Sequence, residues 1–344
     1  SFDAYIRDTK DMLMAGKTLP GVYGASSPRM NVADLRTKGW EASITWGDSF
    51  TLASKPFNYR IMAGIGDNTS KVTKYDNPNR TLTDPYEGQQ LGEIWGYVVD
   101  GYFKTDEEAR NYKVDQSFVN QMINASALDN GLHAGDLKFV DLDGNNKIEQ
   151  TTSANDRKDM KVIGNSLPRY NYNFGISADW YGIDFSVLFQ GIGKQNWYPG
   201  AETSMFWGPY SRPYASFIPS DFMSQVWSEE NTDAYFPRPR GYVALGSNRE
   251  LAVVNTKYLQ NLAYCRLKNL SIGYTLPDKW LSKIGFEKIR VYFSGENLLT
   301  FTKLHSDYID PEQASASNSW KTSKSDANIY PWAKTYSFGV DITF

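Results

Sequence analysis

The sequence predicts an all-β chain: about eight strands of a transmembrane antiparallel β-barrel, with long loops on one side. Three observations carry that expectation. Apolar and polar residues alternate along repeated stretches of about ten residues, the length of a tilted membrane strand. The connections between those stretches alternate between short and long. Aromatic residues form 15% of the 344, with 23 Tyr and 10 Trp, although mean hydropathy is -0.52. Tyr and Trp at that density suit belts at two membrane interfaces, and strands that are apolar on one face only leave the average polar.

Alternation is under way from the first residues, with Phe2, Ala4 and Ile6 on one face, so the chain is expected to be a portion of something longer. A connection from Asp11 to Thr37 leads to a second strand, Trp40, Ala42, Ile44, Trp46. A polar turn then gives Phe57, Tyr59, Ile61, Ala63, Ile65. The clearest stretch is Tyr170, Tyr172, Phe174, Ile176, Ala178, Trp180 against Asn171, Asn173, Gly175, Ser177, Asp179. After Tyr181-Gly182 it returns as Ile183, Phe185, Val187, Phe189, a hairpin with one apolar face. A further strand begins near Leu262 and ends at Leu276; another runs from Lys288 to Phe301, broken near Gly295-Glu296-Asn297. The last is Tyr336, Phe338, Val340, Ile342, Phe344.

Links Trp46–Phe57, Trp180–Ile183 and Leu276–Lys288 are short; Asn68–Pro168, Gly191–Asn261 and Thr302–Trp332 are long. If Phe344 ends in the periplasm, every long link lies outside the cell, as in bacterial outer-membrane barrels. Residues 1–344 therefore read as one portion of a barrel domain with two large excursions, 68–168 and 191–261. In the first, Ile94 to Phe103 resembles a strand, and Thr105-Asp106-Glu107-Glu108 a capping box opening a short helix.

Composition excludes several classes. A net charge of -3 argues against a nucleic-acid partner, which would require a basic face. No run approaches the roughly 18 apolar residues of a membrane helix. Cys265 alone makes no disulfide framework, and His133 and His305 alone make a His-rich zinc site improbable. Carboxylates show no pairing tied to acid–base work, and no nucleophile motif accompanies either His, so no catalytic site is assigned.

Three motifs remain. Ser337, Gly339, Ile342 and the terminal Phe344 match an outer-membrane insertion signal, an amphipathic closing strand offered to the assembly machinery; its bland counterpart is an ordinary terminal strand. Asp141-Leu142-Asp143-Gly144-Asn145-Asn146-Lys147-Ile148 follows the first eight positions of a calcium loop. Asp141, Asp143 and Asn145 would supply side-chain oxygens and Lys147 its carbonyl. Thr152 stands where the twelfth-position acid belongs, leaving Glu149 or Asp156 as substitutes. Structural Ca2+ competes here with a plain Asx-rich turn. Finally, Trp197, Tyr198, Phe206, Trp207, Tyr210 and Tyr214 crowd one long loop, followed by Trp227, Tyr235 and Phe236. Exposed rings there would sample substrate, the first five above all; packed rings would only hold the loops together.

Several phrases in order resemble the barrel of SusC/RagA-type TonB-dependent transporters. They include Arg36-Thr37-Lys38-Gly39-Trp40-Glu41, Gly92-Glu93-Ile94-Trp95-Gly96-Tyr97 and Gly135-Asp136-Leu137-Lys138-Phe139-Val140-Asp141. Asp156-Arg157, Val162-Ile163-Gly164-Asn165-Ser166-Leu167-Pro168, Phe189-Gln190-Gly191 and Glu296-Asn297-Leu298-Leu299-Thr300 complete the set. The resemblance implies the C-terminal portion of a plugged barrel of roughly 22 strands in the bacterial outer membrane. It also implies a SusD-like surface lipoprotein as lid, TonB acting through a separate N-terminal part, and a dimer of transporter–lid pairs importing glycans or oligopeptides. The rest of the barrel and membrane lipid are then obligatory partners. The competing readings are a soluble secreted β-rich glycan-binding module and, third, a glycoside hydrolase on a β scaffold.

Overall fold

The computed structural model describes residues 1–16, 22, 24, 28–119, 131–211, 218–246, 249–281, 285–314, 324–325 and 330–344. In chain order the elements begin with β1 (Phe2–Ala15), β2 (Arg29–Leu52) and β3 (Lys55–Lys74). There follow β4 (Glu93–Tyr97), β5 (Val99–Tyr102), α1 (Asp106–Arg110), β6 (Leu137–Phe139) and β7 (Met160–Asn165). Next come β8 (Arg169–Trp180), β9 (Ile183–Lys194), β10 (Asn196–Pro199), α2 (Ser204–Trp207) and β11 (Gln260–Asn261). The chain closes with β12 (Tyr264–Thr275), α3 (Asp278–Leu281), β13 (Lys288–Thr302), β14 (Lys324–Ser325) and β15 (Thr335–Thr343).

Eight of these make one antiparallel sheet, β1-β2-β3-β8-β9-β12-β13-β15, each long strand beside the next in sequence. Because side chains alternate with period two, register decides which residues share a face. One row runs Trp46, Ile61, Ile176, Val187, Leu270 across five strands. The next runs Ile44, Ala63, Phe174, Phe189, Leu267, Leu299. The other face carries a polar row: Arg60, Ser177, Ser186, Ser271, Ser294, Ser337. The apolar face is uncovered, with Phe338 83% and Trp46 59% exposed. Water penalises such a surface and lipid does not. Among the described residues no helix is long and apolar enough to cross a membrane.

The three short links lie together at one end of the sheet. Ala53-Ser54 (φ 50 and 63) and Tyr181-Gly182 (φ 51 and 85) make two-residue turns with both central residues left-handed, the geometry that matches strand twist. The third carries α3. All the long links fall at the opposite end, at 16–28, 75–168, 195–263 and 303–334.

Here the strand boundaries expected from alternation are corrected. β2 and β3 span 24 and 20 residues, so pairing covers most of 11–37 and the first part of 68–168. Residues such as Arg36, Lys38 and Ser70 break the apolar pattern but keep their backbone ladder, which is indifferent to side-chain polarity. The ladders therefore extend past the greasy band on the long-link side. The break near Asn297 is confirmed as a bulge: Asn297 sits at φ 53, and the β12–β13 register shifts between Leu267 and Asn269.

The long links fold on one another into a second body with its own core. Tyr97, Leu137, Phe139, Trp197, Tyr198, Trp207 and Tyr258 are among the residues buried there. Short pairings run through it: β4 with β7, β5 with β6, and β10 with β11 and β14. The expected Ile94–Phe103 strand appears as β4 and β5, and Thr105 caps α1, its Oγ1 accepting the Glu108 N–H at 3.1 Å. The Glu108 carboxylate accepts the N–H of Lys104 at 2.8 Å and not that of Thr105.

Candidate functional site

The Asp141 segment is a tight loop laced by its own side chains. Asp141 accepts the backbone N–H groups of Gly144 and Asn146, both at 2.7 Å, and Asp143 accepts that of Asn145 at 3.1 Å. Asn145 accepts from Lys147 N–H at 2.8 Å, and Asn146 takes the left-handed conformation at φ 63. The third carboxylate is neither Glu149 nor Asp156. Glu149 pairs instead with Lys158 at 3.5 Å and Lys147 at 3.8 Å. Asp159, fully buried and accepting the Leu142 and Glu149 N–H groups, turns into the loop. One oxygen each from Asp141, Asp143 and Asp159 lies within 4.8 Å of the others. Burial raises the Asp159 carboxyl above its ordinary range, with the negative charges of Asp143 and Asp141 adding to it. Three hard oxygen donors with crowded negative charge fit a divalent cation such as Ca2+.

The rings expected to sample substrate are corrected by their burial. Trp197, Tyr198, Phe206, Trp207 and Tyr210 are at most 2% exposed and form the centre of the loop body. Their polar ends are satisfied internally. Tyr198 donates to Leu251 O (2.8 Å), Trp207 to Gly200 O (2.9 Å) and Tyr210 to Pro237 O (2.6 Å). Trp227 and Phe236 join the same core, with Tyr235 packed against it; Tyr214 lies outside the described residues. The physical reason is that ordering such long loops costs backbone entropy, which only large apolar burial offsets.

A buried ionic cluster ties this body together. Asp136 receives Arg238 (2.6 Å) and Arg240, and Arg240 Nε stands 2.8 Å from Glu250. Complete burial pushes the Glu250 carboxyl up to about 7, although Arg240 pulls it the other way.

A second ionic knot joins the body to the sheet. On the polar face of β12, Arg266 bonds Asp310 and Glu312, each at 2.6 Å, and its Nε donates to Thr300 Oγ1 at 3.0 Å. Lys268 reaches Glu312 at 2.7 Å. Asp310 also accepts the Trp332 backbone N–H at 3.1 Å, which folds 330–334 over the knot. The result is a cleft of about 850 Å³ bordered by Arg266, Thr300, Tyr308, Asp310, Tyr330 and Trp332. Its rings are exposed, Trp332 at 52% and Tyr330 at 89%. Neither Asp159 nor this cleft was anticipated. Arg266 inside an otherwise alternating strand was the available signal for the cleft; Asp159 had none, since its role depends on a chain reversal.

In the closing strand, Ser337 and Gly339 lie on the polar face opposite Ser294 and Tyr292, while Ile342 faces the apolar side opposite Ile289. The Phe344 ring rests 5.1 Å from Phe286 at the short-link end.

No family model matches the chain. It is 28% identical along its whole length to TonB-dependent receptor P3 of Formosa agariphila, covering 32% of that protein. It is 22% identical over 99% of its length to the TonB-dependent receptor SusC of Bacteroides thetaiotaomicron, covering 30% of it. Among solved structures, the RagAB peptide importer in its open-open state superposes with a TM-score of 0.68 at 20% identity, covering all of this chain and 32% of that one. The closed-closed state gives 0.64 at 22% identity, over all of this chain and 33% of that one. The chain spans about a third of the length of the curated relatives it matches. It is similar throughout to SusC/RagA-type TonB-dependent transporters, and its fold is the C-terminal barrel wall of that type with its loops.

Proposed function

We propose that this chain, similar over its full length to one third of SusC/RagA-type TonB-dependent receptors, works as the closing wall and extracellular loops of an outer-membrane nutrient importer. The observation that carries the reading is the single uncovered apolar face, continuous across the sheet, with every long link at one end. A soluble glycan-binding module or a hydrolase would have to cover that face with protein. The loop body then sits outside the cell, where a SusD-like surface lipoprotein closes over it, and glycans or oligopeptides enter beneath. Transport energy arrives from TonB through the plug, supplied by a part of the transporter beyond these strands. The pairs assemble as dimers.

Within this reading the Asp141, Asp143 and Asp159 carboxylates hold a structural Ca2+, with Asn145 and the Lys147 carbonyl at hand. The ion braces the outer body and takes no part in translocation. Adding Ca2+ to the chelated whole transporter is expected to raise the melting temperature of its loop body, and Asp143→Asn to abolish the rise. Equal melting with and without Ca2+ would remove the ion from the account.

The deciding experiment is extraction of native outer membranes in mild detergent, followed by identification of what copurifies. A surface lipoprotein and the remainder of the barrel are expected with this chain. A chain that stays folded in water, without detergent or partner, would sink the importer reading.

A further inference from the structure

We propose that the cleft under Trp332 is a subsite for an uncharged oligosaccharide segment; the assignment rests on the importer reading above. The first support is its position. Arg266, Thr300 and Gln190 share the polar face, opposite Leu267, Leu299 and Phe189. In a closed barrel that face lines the lumen, and the cleft stands at the end where the long links gather. A substrate leaving the loop body would meet it on the way in.

The second support is charge. Arg266 and Lys334 are the cations lining the cleft, and Asp307 and Asp310 the anions, so the lining sums to zero. Behind them Lys268 is neutralised by Glu312. Arg266 is already saturated by two carboxylates and a hydroxyl, so it has little left to offer an acidic ligand.

The third support is shape. The cleft of about 850 Å³ falls in the usual range for ligand sites. Trp332 lies over the Lys268 ammonium at 5.7 Å, and its backbone is pinned to Asp310, so the ring is pre-positioned while half exposed. Tyr330 presents a second ring beside it. Flat rings bordered by oxygen acceptors suit a sugar, which has C–H faces and hydroxyl edges. A peptide main chain would instead seek an unpaired strand edge. β12 is paired on both sides by β9 and β13, but β13 is paired with β15 only as far as Glu296, so the peptide contrast in the test below is the deciding one.

The test uses the whole transporter, purified in detergent from native outer membranes. Calorimetric titration would be run with maltohexaose, cellohexaose, laminarihexaose and xylohexaose. Hexagalacturonate and an Ala-Gly hexapeptide serve as the acidic and peptide contrasts. At least one neutral hexamer is expected to bind saturably, and Trp332→Ala and Tyr330→Ala each to weaken it about tenfold, the scale of one lost stacking contact. Trp332→Phe should retain most of the affinity, which keeps the test valid if the alanine variant folds badly. Trp280→Ala, at the far end of the sheet, should change nothing. The proposal is overturned if no neutral hexamer binds, if binding ignores both ring deletions, or if the ring-dependent ligand is the peptide or the acid. Heat-modifiable gel mobility, read in parallel, separates this from failure of the barrel reading, in which even the unmutated protein would lack the shift.

Discussion

At Gly339 the missing side chain is the functional part. A Cβ there would overlap the Tyr292 ring, which lies across the strand directly opposite. Gly39 beneath Tyr5 and Gly191 beneath Tyr172 repeat the arrangement, the first on the polar face and the second on the apolar one. In each, a ring from one strand covers backbone on its neighbour, which recovers the packing that glycine forfeits and fixes register. Gly339→Ala is therefore expected to destabilise the closing strand by about 1–3 kcal/mol, the usual cost of overpacking. Urea titration of the heat-modifiable form would measure it. Adding Tyr292→Ala should return much of the loss, because the two positions are coupled; strictly additive effects would deny the contact. Gly339 was visible in the sequence as part of a terminal pattern. Tyr292 was not, because a cross-strand partner is set by register, which the pattern of a single strand does not reveal.

For the strands, alternation alone placed the wall, since period two is imposed by the backbone and cannot be disguised by loop composition. Phe174 and Phe189 illustrate the outcome: both were put on the apolar face, and they stack there at 4.7 Å with planes 11° apart. Strand ends were less legible, because hydrogen bonding carries β2 and β3 past the end of the strict apolar alternation. Face assignment makes a sharp contrast available within one strand. Val187 lies in the central apolar row, whereas Ser186 lies in the polar row beside Ser177 and Ser271. Val187→Arg should cost on the order of 2–4 kcal/mol near the bilayer midplane, while Ser186→Arg should leave assembly close to normal. The yield of heat-modifiable protein in outer membranes compares the two directly. Equal yields would place the membrane elsewhere.

Considered whole, the molecule has two organised regions stabilised by different solvents. The wall has no interior within these residues. In the importer reading its apolar face answers to lipid, and its first and last strands, β1 and β15, each show one unpaired edge among the described residues. The loop body, in contrast, is held by water-driven burial of Trp197, Trp207, Tyr258 and Phe236, and by the Asp136–Arg240–Glu250 cluster. This division explains why so many aromatic residues misled the reading of the loops. Rings in irregular segments carry no period, so nothing in the order of residues separates a binding platform from a core. The division also predicts how the transporter comes apart. Urea weakens burial from water directly, but it reaches a lipid-facing ladder only after the strands leave the membrane. In the purified transporter, fluorescence from the buried loop tryptophans should therefore shift at lower urea than the concentration that abolishes heat-modifiable mobility. A single transition in both signals would mean that the knot of Arg266 with Asp310 and Glu312 couples body and wall into one cooperative unit. In that case Arg266→Gln should split the transition in two.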